Sequence, residues 1–264
     1  MKALVYTGTE SMAFQDMPTP EPTDGEVLIR VDSVGICGSD MHAFLGHDNR
    51  RPAPLILGHE AAGVIEGGAR DGERVTINPL VTCGTCPACR SGRENLCPTR
   101  QIISMPPREG AFAEYVTMPE TNLVRVPGNV PFETAALAEP LSVSWHAARL
   151  SLEAIHPAAE RRVLIVGGGA IGLAAALAYK AMGVDDVIVS EPNEGRYLGE
   201  VDIGNLEGVA LTAGALDDTA HRLSVKRDEL RLLLELGGHG CSVHRVEREY
   251  RTPPRHCSPQ TRAG

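Results

Sequence analysis

Four cysteines fall within the fifteen residues CGTCPACRSGRENLC, at 83, 86, 89 and 97, spaced C-x2-C-x2-C-x7-C. Zinc takes thiolates about 2.3 Å away at tetrahedral corners, and short Cys-x-x-Cys turns can supply sulfurs at those corners. Gly84, Pro87 and Gly92 suit such turning. Four thiolates leave no open coordination position, so Cys83, Cys86, Cys89 and Cys97 are expected to hold a structural Zn2+. Disulfides are the weaker reading, because the opening MKALVYTG lacks the basic and apolar regions of a signal peptide and thiols in a reducing compartment serve metals or catalysis more often.

A second set is dispersed: GICGSDMH (35–42), GHE (58–60) and AEP (138–140). Each segment alone is weak. Together they offer Cys37, His59, Glu60 and Glu139, a thiolate, an imidazole and two carboxylates, which is the ligand chemistry of a catalytic zinc with one position left for water or substrate. Ser39 and His42 follow the cysteine by two and five residues, a spacing that allows a hydroxyl-to-imidazole proton path. Ordinary turn and surface polarity is the plain alternative for that pair.

The third set is GGGAIG, with Gly167, Gly169 and Gly172 in G-x-G-x-x-G register and Glu191 nineteen positions after Gly172. The pattern is common, but here it follows an apolar strand and opens a helix. The glycines let backbone approach a pyrophosphate at the helix N-terminus, and Glu191 is placed to accept hydrogen bonds from an adenosine ribose. A carboxylate there repels a 2′-phosphate, so NAD is favoured over NADP. Arg196 nearby is a further candidate cofactor contact, and the one that pulls towards NADP.

The elements that must position these groups change character along the chain. Up to about residue 150, short β-branched runs (KALVY, EVLIRVDSVGI, AAGVIEG, ERVTI, AEYVTM) alternate with Gly, Pro and Asp clusters, predicting an irregular, mostly antiparallel β-domain. From Arg161 the run RVLIVGGG, the helix former AIGLAAALAYKAMG and the strand DDVIVSE read as a βαβ unit with a parallel sheet. Beyond Arg196 only SVKRDELRLLLELGG (224–238) suggests a helix, and the last stretch carries almost no apolar periodicity, which predicts disorder.

Bulk properties bound the function. The 264 residues allow two domains with real cores. A net charge of −9 argues against nucleic acid as a partner. No apolar run reaches the roughly 20 residues of a membrane span, so no membrane is expected and a cytoplasmic location is the default.

With these residues assembled, the sequence from Met1 to about Arg196 resembles the zinc-dependent medium-chain dehydrogenases, in the polyol branch that includes sorbitol and threonine dehydrogenases. GICGSDMH, GHEAAGVI, CGTCPACRSGRENLC, AEPLSVSWHA and the dinucleotide fingerprint stand in the family's order. The resemblance implies an α/β plus β chain. Residues 1–155 would be a GroES-like zinc-binding catalytic domain, and 156–196 the first part of a Rossmann domain with a doubly wound parallel sheet. It also implies that Cys37 and His59 are catalytic zinc ligands, with Glu60 or Glu139 completing the set. Ser39 would take the alcohol proton and His42 pass it to solvent. Asp40 would orient the ligands, and Trp145 and His146 would pack in a helix. The implied chemistry is reversible hydride transfer from a secondary alcohol or polyol to NAD by a homo-oligomer of the completed fold.

Two departures stand out. AAGVIEGGARDGERVTI is shorter than the family's usual loop and is expected to tighten a hairpin. After Arg196 the family's further parallel strands and return segment are not recognisable, so residues 197–264 are expected to be an atypical tail. A frameshifted, truncated or misassembled reading frame is the first explanation, and a divergent C-terminus the second. The competing function from another class is a non-catalytic zinc-binding fragment or subunit lacking a complete cofactor site.

Overall fold

A computed structural model describes residues 1–191 and the backbone of 209–213 and 221–223. In chain order the strands and helices are β1 (Lys2–Gly8), β2 (Ser11–Asp16), β3 (Glu26–Gly35), α1 (Gly38–Phe44), β4 (Leu55–Ile56), β5 (Glu60–Glu66), β6 (Arg74–Ile77) and β7 (Leu80–Val81). There follow α2 (Pro87–Arg90), β8 (Gln101–Ile102), β9 (Tyr115–Pro119), β10 (Leu123–Arg125), α3 (Phe132–Ala136) and α4 (Ala138–Ala154). The last group is β11 (Arg162–Val166), α5 (Ala170–Ala181), β12 (Asp186–Glu191), β13 (Val209–Ala213) and β14 (His221–Leu223).

The first part is built from two antiparallel sheets, a five-stranded one in the order β10-β6-β5-β3-β9 and a three-stranded one in the order β2-β1-β4. Every strand expected from the β-branched runs is present. Ile29, Ile65, Val75, Ile103 and Met118 are wholly buried and form the centre of the main core. β5 lies in the middle of its sheet, and its first four residues are buried on both faces, which is why EAAGVIE reads as a near-continuous apolar run rather than an alternating one. The short β5–β6 connection is the tight hairpin expected, closed by Gly72 N–H to Ile65 O at 2.9 Å and Ile65 N–H to Glu73 O at 3.0 Å. The strands too short to show a period in the sequence are β4, β7 and β8, each of two residues.

α4 leads from this β-part to the second one. Trp145 packs on the cluster of Ala148, Ala175, Tyr179, Val187 and Val189, the packing role expected of it. His146 lies in the same helix, where it meets the Arg149 guanidinium at 3.3 Å. β11, α5 and β12 form the expected βαβ unit, with β11 and β12 parallel in the register Arg162 to Asp186 through Val166 to Ser190. Among the described residues the sheet runs β11-β12-β13-β14.

β13 lies in the stretch read from sequence as an atypical tail. No parallel strand was expected after Arg196, yet Val209–Ala213 pairs parallel with β12, from Val187 with Val209 to Glu191 with Ala213. Five residues, VALTA, carry no glycine or proline punctuation of their own, and such short runs cannot be told apart by period. Arg196, the amphipathic segment 224–238 and the rest of the tail read as disordered or frameshifted lie outside the described residues.

No described helix is long and apolar enough to cross a membrane. Because Ile65 has no exposed surface, Ile65→Ala should cost about 2–5 kcal/mol. Urea titration should show it as a lower midpoint with an unchanged slope.

Candidate metal centres and nucleotide site

The first site begins with strand register. β3 and β5 are antiparallel, and Gly35 at the end of β3 faces Glu60 at the start of β5. Cys37, two residues past the end of β3, therefore comes beside His59, the residue just before β5. Glycine at 35 makes the approach possible, since a Cβ there would lie 2.3 Å from Glu60 Oε2. One ligand atom from each of Cys37, His59 and Glu60 falls within 4.8 Å of the other two. Of the two glutamates that sequence left open, Glu60 joins this group and Glu139 does not.

Asp40 organises the cluster. It is N3 of α1 and closes a capping box on Cys37, whose N–H donates to Asp40 Oδ2 at 3.0 Å; this satisfies a helix-terminal donor and fixes the thiol's residue at the N-cap. Its Oδ1 accepts from Gly58 N–H at 3.2 Å and faces His59 Nδ1 at 3.6 Å. The same ring nitrogen faces Ser104 Oγ at 3.3 Å. Neither Gly35 nor Ser104 was identified from sequence; Ser104 meets His59 across 45 positions, and no local pattern reports such a contact.

The electrostatics suit a cation. Burial pushes the His59 imidazole down, but hydrogen bonds to Asp40 and Cys37 and the charges of Asp40 and Glu139 outweigh it and hold its pKa at about 10. Burial raises Glu60, with His59 and Cys37 acting against it. Glu139, in the first turn of α4, is raised to about 7 by burial, opposed by His59 and reinforced by Glu60 and Asp40. Several carboxylates around one imidazole are mutually unfavourable unless positive charge compensates them. A divalent ion supplies that compensation.

Ser39 and His42 share α1, three residues apart. Ser39 Oγ is buried with no hydrogen-bond partner among the described residues, an arrangement that needs an explanation because such groups cost free energy. His42 is exposed, with its ring centroid 6.3 Å from that of His47. The structure places hydroxyl and imidazole on one helix but draws no hydrogen bond between them.

The second site is the cysteine cluster. Cys83, Cys86, Cys89 and Cys97 each place a sulfur within 4.8 Å of the others. The Sγ separations are 3.9 Å for Cys83–Cys89, 3.5 Å for Cys86–Cys89 and 3.6 Å for Cys83–Cys97. A tetrahedron with arms of about 2.3 Å has edges of roughly 3.8 Å, so these are the separations zinc requires. Cys86 is the N-cap of α2, Pro87 opens that helix, and Cys89 N–H donates to Cys86 Sγ at 3.4 Å. Backbone N–H groups of Thr85 and Cys86 hold the Cys83 thiol at about 5, whereas burial pushes the Cys89 thiol up to about 11; a metal among them would require both as thiolates.

The third site lies at the turn from β11 into α5. Gly167 takes φ 105°, a conformation glycine adopts at little cost. A Cβ at Gly172 would sit 1.8 Å from Gly167 O, whereas one at Gly169 would meet nothing within 4 Å. Gly172 thus permits close helix–strand packing, and Gly169 leaves room for a ligand to reach the backbone. The α5 N-terminus has no side-chain cap, so its N–H groups suit an anion. Glu191 ends β12, is buried, and accepts Gly168 N–H on Oε2 at 2.8 Å.

A GroES-like β-part with these three sites, followed by the start of a parallel nucleotide sheet, defines an alcohol dehydrogenase class. Residues 23–128 match the family described as Alcohol dehydrogenase GroES-like domain. The chain is 41% identical over 203 residues to a sorbitol dehydrogenase of Bacillus subtilis, covering 72% of this chain and 56% of that protein. It is 38% identical over 202 residues to L-galactonate-5-dehydrogenase of Escherichia coli, covering 74% and 57%. Among solved structures, an alcohol dehydrogenase from E. coli CFT073 complexed with NADH superposes with TM-score 0.67 at 33% identity, over 74% of this chain and 58% of that one. The chain belongs to the zinc-dependent medium-chain dehydrogenases, in their polyol branch. It spans little more than half the length of the relatives it matches.

Cys97 is wholly buried and forms one corner of the thiolate cluster. Cys97→Ser should lower bound zinc by about one ion per chain and reduce thermal stability. Elemental analysis paired with calorimetry measures both.

Proposed function

We propose that this chain carries the metal site and the first half of the nucleotide site of an NAD-dependent zinc polyol dehydrogenase, oxidising a secondary alcohol of a polyol to a ketone. The observation that carries the proposal is the convergence of Cys37, His59 and Glu60 at one end of a sheet whose chain continues into an intact dinucleotide turn. The relatives support the substrate class, being sorbitol and L-galactonate dehydrogenases.

In this reading Cys37, His59 and Glu60 hold the catalytic zinc, with Glu139 close enough to stabilise its charge, and the four clustered cysteines hold the structural one. When bound, the zinc would supply a Lewis acid for the alcohol oxygen and NAD a hydride acceptor. Ser39 Oγ, buried and with no hydrogen-bond partner among the described residues, takes the proton of the alcohol as the carbon–hydrogen bond breaks. His42, exposed on the same helix, returns it to water. Gly167, Gly169 and Gly172 admit the pyrophosphate, and Glu191, at the end of β12 beside this turn, is the carboxylate that meets the adenosine ribose. Residues 1–155 form the catalytic domain, 156–196 begin the nucleotide domain, and the assembled enzyme is a homo-oligomer.

A second reading has its own observation. β11 has no neighbour on its outer edge among the described residues, and Leu164 and Val166 are 47% and 78% exposed. An unpaired edge beside exposed apolar residues is normally covered, so a non-catalytic zinc-binding fragment or subunit is the alternative function.

Metal analysis and NAD titration of the full chain separate the two. The enzyme reading expects about two zinc ions per chain, quenching of Trp145 fluorescence, a rise in melting temperature with NAD, and NADH formation with a polyol. Bound zinc with no response to NAD selects the fragment. Ser39→Ala should lower kcat about 100-fold or more while leaving zinc content unchanged.

A further inference from the structure

Among the described residues only Glu10 and Ser104 combine a side chain with positive φ, at 55° and 66°. Glu10 lies in the exposed turn between β1 and β2, where such a conformation is ordinary. Ser104 has no exposed surface. A left-handed backbone at a buried residue other than glycine persists where its surroundings over-determine it, and such outliers gather at functional sites.

The surroundings of Ser104 are specific. Its carbonyl accepts from Arg51 Nε at 3.0 Å, and Arg51, itself 5% exposed, is ion-paired with the buried carboxylate of Asp48. A buried guanidinium bound on both sides is a stiff anchor. Held this way, Ser104 directs its hydroxyl to His59 Nδ1 at 3.3 Å. Asp40 Oδ1 faces the same nitrogen from 3.6 Å and is already engaged by Gly58 N–H. Hydroxyl and carboxylate both face that nitrogen, the hydroxyl from the shorter distance.

A histidine that ligates a metal through one ring nitrogen needs a partner for the other, which fixes both tautomer and ring orientation. We propose that Ser104 is a positioning residue of the metal site. Its hydroxyl, set by the Arg51–Asp48 anchor and the left-handed backbone, accepts a hydrogen bond from the Nδ1–H of His59 and so keeps the Nε2 lone pair available to a metal beside Cys37 and Glu60. This rests on the metal-site reading given above.

The test is cobalt(II) titration of the full-length apoprotein, followed by its visible absorption and by chelator competition, in wild type, Cys37→Ser, Ser104→Ala and Ser104→Gly. Cys37→Ser should abolish the weaker of two binding events. Ser104→Ala and Ser104→Gly should each weaken that event about tenfold or more and shift its absorption, leaving the cysteine cluster's band unchanged. Ser104→Gly relieves the backbone conformation and should fold at least as well as wild type, so a loss of affinity in it reports the hydroxyl alone. Unchanged affinity and absorption in both serine variants overturn the inference, even if Ser104→Ala is less stable. If Cys37→Ser binds cobalt as wild type does, the metal site itself is misplaced and the inference falls with it.

Discussion

The antiparallel pairing of β3 with β5 is the constraint on which the rest of the metal centre depends. A strand pair has only one register that keeps Ile29 and Ile65, direct partners in the pairing, both buried in the core, because a slip by one residue turns every side chain to the other face. That register, shifted by one residue at the bulge between Val31 and Ser33, sets Gly35 against Glu60, and Cys37 and His59 then leave the two strand ends side by side. Core packing far from the site therefore determines which ligands meet. The bulge between Val31 and Ser33 lies between the core and the site, where bulges re-aim the chain.

Once register has delivered the ligands, α1 and its capping box orient them. Helix-terminal N–H groups need partners in any fold. Here the partner of the Cys37 N–H is Asp40, whose other oxygen faces His59. One carboxylate therefore does structural work for the helix and electrostatic work for the imidazole. Its own acidity reflects both: burial raises it, while hydrogen bonding and the charge of His59, with the N–H groups of Cys37 and Gly58, bring it below the ordinary carboxylate value. In the cysteine cluster a helix N-cap again positions a thiol, at Cys86.

The legible parts of the sequence were those in which chemistry and spacing coincide locally. The four cysteines lie within fifteen residues and the glycine fingerprint within one turn, so much of their geometry follows from short-range chain stiffness; the structure brings the four sulfurs together and opens α5 at the glycines. The β-strands with several alternating or continuous apolar residues were legible for the same reason. Which of Glu60 and Glu139 lies with Cys37 and His59 was not legible, because it depends on how α4 sits against the β-part. Ser104 and Arg51 were silent because a buried serine beside two prolines, or an arginine in DNRRP, has no period or motif to mark it. β13 was missed because strand pairing, not composition, makes VALTA a strand.

α4 joins the two chemistries. Its first turn carries Glu139, whose charge acts on His59. One turn further on, Ser144, almost wholly buried, donates to Ile171 O at 3.0 Å in the first turn of α5, and Ser151 hydrogen-bonds Tyr179 at 2.6 Å later in the same helix pair. The helix whose N-terminus would receive the pyrophosphate is thus tied by side-chain hydrogen bonds and by Trp145 packing to the helix that borders the metal ligands. Since buried hydrogen bonds are costly to break singly, movement of α5 on nucleotide binding would carry α4 with it. The glycine turn and the border of the Cys37–His59–Glu60 cluster are thus joined through the α4–α5 helix pair.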